Sequence, residues 1–89
     1  MKFVWDDKKA RLNLKKHGVS FDEATSVFFD SLAATIPDPD HSVGEHRFLT
    51  LGRTANGMLI VVSHVEGADV IRIISAREAN RHERKSYES

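Results

Sequence analysis

Apolar positions in this 89-residue chain first follow a helical period, twice, and then shift to short alternating or continuous runs divided by polar turns. Phe3-Val4-Trp5 suffices only for a brief strand. Asp6 stands where a helix cap belongs, and Gly18 closes that helix after about His17 in the left-handed conformation that glycine favours. Ala10, Leu14 and His17 share one face, so His17 is expected as a packed, hydrogen-bonded histidine, while Lys9, Asn13 and Lys16 form a second stripe. Ser20 and Glu23 make a capping box for a second helix with Phe21, Ala24, Val27 and Phe28 as its core face, ending near Asp30.

The rest reads as strands. Residues 33–37 suit an edge strand, because Pro37 and Pro39 end ladder pairing, and residues 38–44 read as loop. Residues 45–54 alternate, with Arg47, Leu49, Leu51 and Arg53 on one side and His46, Phe48 and Thr50 on the other. Asn56-Gly57 is a strong hairpin signal, and the apolar run 58–65 that follows reads as a central strand covered on both faces. Residues 66–69 turn the chain into a last strand, 70–74. There Ser75 with Glu78 has the S-x-x-E form of a helix start, which puts Arg77, Arg81 and Arg84 in one helical stripe. Ala76, Ala79 and Tyr87 fall on another face, with Glu83 placed to pair with one of the arginines. The predicted fold class is α+β: one domain, an antiparallel β-meander packed with two N-terminal helices and one C-terminal helix.

Charge changes the picture only through its distribution. The formal net charge is +0, which argues against indiscriminate nucleic-acid binding. Residues 2–16 carry six Lys or Arg, residues 18–45 carry six acids and no Lys or Arg, and residues 70–88 carry five Lys or Arg against three Glu. If the two basic segments meet, a neutral protein has a basic face. With no cysteine, thiolate metal sites and disulfides are excluded, and the start of the chain shows no signal-peptide core, so a cytoplasmic protein is expected. No run is long and apolar enough to span a membrane.

P-loop, dinucleotide, H-E-x-x-H and G-x-S-x-G motifs are absent, and His41 with its acidic neighbours Asp38 and Asp40 reads as solvated loop. What remains is a surplus of Arg, Lys and His around the meander and the last helix. His64 ends the most apolar strand, with Arg72 expected on the strand beside it. Such a set suits RNA cleavage without metal or other cofactor, in which a base takes the 2′-hydroxyl proton and cations stabilise the phosphorane. A non-catalytic module that binds an acidic partner, or a DNA-binding regulator, fits the same surplus. The regulator is disfavoured by the charge and by the lack of a helix-turn-helix pattern.

Phe3-Val4-Trp5-Asp6 with Lys9, Asn13 and Lys16-His17-Gly18-Val19-Ser20-Phe21, then Ala24 and Phe28, resembles the N-terminal signature of the BrnT toxin family. His41-Ser42, Glu45, Arg47 and Gly52 resemble its middle, and residues 71–77 with Ala79, Glu83-Arg84 and Tyr87 its C-terminal signature. This resemblance implies a RelE-like α+β fold and a type II toxin. It implies a ribonuclease that inhibits translation, neutralised by a BrnA-like antitoxin through which operator DNA is bound. It also implicates Trp5, Asp6, Lys9, Asn13, His17, Arg47, His64, Arg72, Arg77, Glu83, Arg84 and Tyr87. Among these, His64, Arg72 and Arg77 are expected to be catalytic. Arg47, Arg53, Arg81, Lys9 and Lys16 are expected to bind RNA, and Trp5, Asp6, Asn13, His17, Glu83, Arg84 and Tyr87 to support the site. Gly67-Ala68 departs from the Arg-Gly that many members carry in that turn, which leaves a toxin degraded to a binding module as the alternative.

Overall fold

The computed structural model describes residues 1–39 and 46–89. A short strand β1 (Lys2–Val4) leads into helix α1 (Asp7–His17), where the Asp6 carboxylate accepts the Lys9 N–H at 3.0 Å and Gly18 ends the helix at φ 72°. Helix α2 (Phe21–Thr25) is capped by the Ser20 hydroxyl and tightens into a 3₁₀ turn, Ser26–Phe29. Strands β2 (Ala34–Pro37), β3 (Arg47–Arg53), β4 (Leu59–Gly67) and β5 (Val70–Glu78) follow, then helix α3 (Arg81–Glu88). The expected loop of residues 38–44, the His41 neighbourhood and the strand start at Glu45 fall largely outside the described residues.

The sheet has the order β1-β5-β4-β3-β2, and β2 to β5 form the expected antiparallel meander, with β4 central. The hairpin at Asn56-Gly57 forms with Gly57 at φ 86°, the Thr54 N–H returning to the Met58 carbonyl. The sheet is mixed rather than purely antiparallel, because β1 pairs in parallel with β5. Asp69, at φ 61° in the turn before β5, accepts the Lys2 N–H at 3.0 Å and starts that pairing.

The C-terminal boundary also differs from expectation. Ser75 starts no helix: it pairs with Ser63, Ala76 with Val62 and Arg77 with Val61, so β5 runs on to Glu78. The strand wins because the apolar strand β4 offers a complete partner edge. The capping box belongs instead to Asn80 and Glu83, each of which accepts the other's backbone N–H. Arg77 is therefore a strand residue and not part of a helical stripe with Arg81 and Arg84.

One face of the sheet is covered by α1 and α2, where Phe21, Ala24 and Val27 bury against Ile60, Val62, Ile71, Ile73 and Ala76. The other face carries Leu59, Val61 and Ala79, against which Tyr87 of α3 packs. Between Ser63 and His64 the register slips, so that Ser63 faces Ser75 while His64 faces Ile73 and Ile74 is the extra residue. This β-bulge reverses the alternation along β5. It lets Ile71, Ile73 and Ala76 share one face, and it turns Arg72 and Arg77, five residues apart, to the opposite one.

Asn13 is the buried residue of α1, which dissolves the expected Lys9–Asn13–Lys16 stripe, and His17 is exposed rather than packed. The Asn13 amide donates to the Val19 carbonyl at 3.0 Å and the Ala76 carbonyl at 2.8 Å, and its oxygen accepts the Ala76 N–H at 3.1 Å. β1 pairs only with residues 70–72 of β5, so Asn13 serves the β5 backbone where β1 has ended. Asn13→Ala would leave these buried groups without partners and should destabilise the fold by about 2–4 kcal/mol in denaturant unfolding. A loss below about 0.5 kcal/mol would contradict this role.

His64 lies on the α1–α2 face, fully buried, edge-on to Phe28 and stacked near Phe48. Its Nε2 and the Thr50 hydroxyl are 2.7 Å apart, and Thr50 in turn bonds Thr35. Burial pushes its pKa down from 6.5 to about 4, so the folded state holds it neutral and the unfolded chain takes up the proton first. Its contribution is complete above pH 6.5 and is lost as pH falls towards 4. Stability measured at pH 7.5 and pH 5 should therefore drop by about 2 kcal/mol more in the parent than in His64→Gln. Parallel slopes for the two would rule the buried neutral imidazole out.

Candidate functional site

The face opposite α1 and α2 is only partly covered. Register places its outward residues in rows across three strands: Arg47, Val65 and Arg72; then Leu49, Ser63 and Ser75; then Leu51, Val61 and Arg77. A last row, Arg53 and Leu59, lies under α3 beside Ala79. Three arginines from β3 and β5 thus point to one side of the sheet, with two serine hydroxyls on the strands between them. Guanidinium groups have the planar donor geometry that phosphate oxygens accept.

Two contacts hold α3 against this face. Arg77 makes a two-pronged ion pair with Glu83, at 2.8 and 2.9 Å. The pair raises the Arg77 pKa and holds the Glu83 carboxyl below its ordinary value, in each case chiefly through the hydrogen bonds between them. Glu83 also accepts the Asn80 N–H at 2.9 Å, so one carboxylate caps the helix and ties it to β5. The pairing of Glu83 with an arginine is as expected, and the arginine is Arg77.

At the far end of α3 the Tyr87 hydroxyl donates to Asp30 at 2.7 Å, and Asp30 also accepts the Arg53 and Leu32 N–H groups at 2.8 and 3.0 Å. These bonds, led by that from Arg53, lower the Asp30 pKa, and donation to Asp30 raises that of Tyr87. The Arg53 guanidinium lies 5.4 Å from the Tyr87 ring centroid and donates to the Gly57 carbonyl. Arg53 is thereby engaged at the covered end of the face. Gly52 belongs to the same junction: a Cβ there would stand 3.1 Å from that of Ala33 and 3.3 Å from the Asp30 carboxylate. Asp30 had no signal in the sequence beyond ending a helix, because its partner Tyr87 is 57 residues away.

Between α3 and the uncovered strands lies a hollow of about 190 Å³. Ile36, Leu49, Leu51 and Val61 form its apolar wall, and His82, Glu83 and Ser86 line it from the helix. The Ser75–Glu78 pattern puts the helix start five residues before its true cap at Asn80, which hides His82 from a sequence reading. Asn80, with Glu83 three residues on, was the signal.

The remaining expected residues are scattered. His64 is buried on the other face, so although it neighbours Arg72 in strand order, the two side chains point to opposite sides. Direct proton transfer by His64 to a substrate on the arginine face has no path in this arrangement. Lys9 and Lys16 are exposed on α1, which packs against the His64 side, so the N- and C-terminal basic segments do not merge into one surface. Arg81 is exposed and Arg84 half-buried on α3. Trp5 packs edge-on to Phe21 at 6.0 Å, and Asp6 caps α1. Gly67-Ala68 sits at the β4–β5 turn, beyond the row that holds Arg47 and Arg72. Among the described residues no three His, Cys, Asp or Glu side chains gather as a metal would require, and no helix is long and apolar enough to cross a membrane.

The family model described as "Ribonuclease toxin, BrnT, of type II toxin-antitoxin system" matches residues 5–83. Among solved structures, the 1.1 Å crystal structure of the Brucella abortus ribonuclease toxin BrnT is similar, with a TM-score of 0.71 and 25% sequence identity. The match covers 91% of this chain and 99% of that one. No curated protein matches. With nearly every element inside the matched span and the same fold in a solved relative, the chain belongs to the BrnT family, the ribonuclease toxins of type II toxin–antitoxin systems.

Proposed function

We propose that this chain is a metal-independent endoribonuclease that cleaves RNA across the arginine face and so inhibits translation. The observation that supports it best is the meeting of Arg47, Arg72 and Arg77 on one side of the sheet, around Ser63 and Ser75. RNA carries its own nucleophile in the 2′-hydroxyl. Cleavage needs that oxygen deprotonated, the phosphate held in line, and charge stabilised on the phosphorane. Guanidinium groups supply the last two without a metal ion. On this reading Arg72 contacts the reacting phosphate, and Arg77 shapes the site through its pair with Glu83. Arg47 and Arg81 hold the RNA strand, and Lys9 and Lys16, on the other side of the sheet, are left without a part in cleavage.

The fold then belongs with the RelE-like toxins, and the protein acts in the cytoplasm. A BrnA-like antitoxin holds it inactive, and operator DNA is bound only through that complex. The Gly67-Ala68 turn favours a second reading, a module that has kept the fold and the partner surface and lost cleavage.

Total RNA incubated with the purified chain in EDTA should be cleaved. Arg72→Ala should lower the rate about 100-fold while the protein stays folded, which circular dichroism checks. Arg77→Ala should lower both rate and stability, the latter by about 1 kcal/mol, since it strands a partly exposed Glu83. Intact RNA with the parent protein would reject metal-independent cleavage and leave the binding module.

A further inference from the structure

We infer that His82 takes the proton from the attacking 2′-hydroxyl on the arginine face; this rests on the ribonuclease reading above. His64 is buried on the other face, bonded to Thr50. His17 ends α1, on that same side. His82, in the first turn of α3, is exposed and lines the hollow over Leu49 and Leu51. The hollow places it beside the row that carries Arg77. Its position is fixed by its neighbour: Glu83 is locked to Arg77 by two hydrogen bonds and to the Asn80 N–H by a third. The backbone at residue 82 is therefore anchored to β5, and the imidazole lines the hollow next in sequence to the carboxylate that Arg77 holds.

Imidazole is the side chain best suited to moving a proton near neutral pH. In the step assigned to it, the 2′-hydroxyl proton passes to the His82 ring while the O2′–P bond forms. The P–O5′ bond breaks, and the departing oxygen takes a proton from water. The imidazolium returns its proton to solvent. The products are a 2′,3′-cyclic phosphate and a 5′-hydroxyl, with no co-reactant consumed. Arginines of the same sheet face stabilise the negative charge on phosphorus throughout.

The test compares parent, His82→Ala, His82→Gln and His46→Ala on one RNA, with binding measured on its 2′-O-methyl version, which cannot be cleaved. Both His82 variants should cleave about 10²–10⁴-fold more slowly, with binding of the methylated RNA and melting temperature unchanged. His46→Ala should cleave as the parent does, and the parent's products should end in cyclic phosphate. Cleavage by the His82 variants within about threefold of the parent would overturn the assignment while leaving the ribonuclease intact. So would a loss confined to His46→Ala, or a loss at His82 matched by weaker binding or lower melting. A parent that binds the RNA and leaves it whole would remove the ribonuclease reading and this inference with it.

Discussion

Much of this fold depends on one amide. A strand edge left open exposes backbone donors and acceptors that must find partners. β1 serves β5 only as far as Arg72, and Asn13 of α1 takes over at Ala76 with both a donor and an acceptor. Its third bond, to the Val19 carbonyl, fixes the turn from α1 into α2. The same residue thus sets the position of the helical layer and closes the sheet against which that layer packs. The bulge at Ile74 lies just before this contact. By reversing the alternation it keeps Ala76 in the core and brings Arg72 and Arg77 out together on the opposite side.

That opposite side is shaped by two ties of different character. Arg77 and Glu83 form an ion pair in a partly exposed setting, while the Tyr87 hydroxyl reaches a carboxylate that already accepts two backbone N–H groups. Together they hold α3 over one end of the sheet and leave the rows of Arg47, Ser63 and Arg72 outside its cover. A chain with zero formal charge thereby gains an arginine-bearing face, although the lysines of α1 lie across the sheet from it. Net charge is a sum, and a substrate meets a surface.

His64 shows how a polar residue can sit in a core. One nitrogen is satisfied by Thr50, whose hydroxyl is shared with Thr35, and aromatic rings flank the imidazole. The other nitrogen has no hydrogen-bond partner among the described residues, with Glu66 at 3.7 Å. Burying a charge there is unfavourable, so the ring stays neutral at ordinary pH and acts as a packing residue.

The sequence by itself determined what local chemistry controls. The caps at Asp6, Gly18 and Ser20, the core face of α2, the edge strand ended by Pro37, the Asn56-Gly57 hairpin and the central apolar strand all follow from spacing and backbone preference. So did the family, since three spaced motifs in order are a linear signal. Tertiary structure decided what depends on partners far along the chain. The Ser75–Glu78 pattern satisfied a local rule for a helix, but four residues of β4 offered hydrogen bonds that a new helix could not match. Asn13 looked like a surface residue until Ala76, 63 positions away, met it. The one-residue bulge, which no composition or period announces, decided which arginines face together, and with that where the site lies.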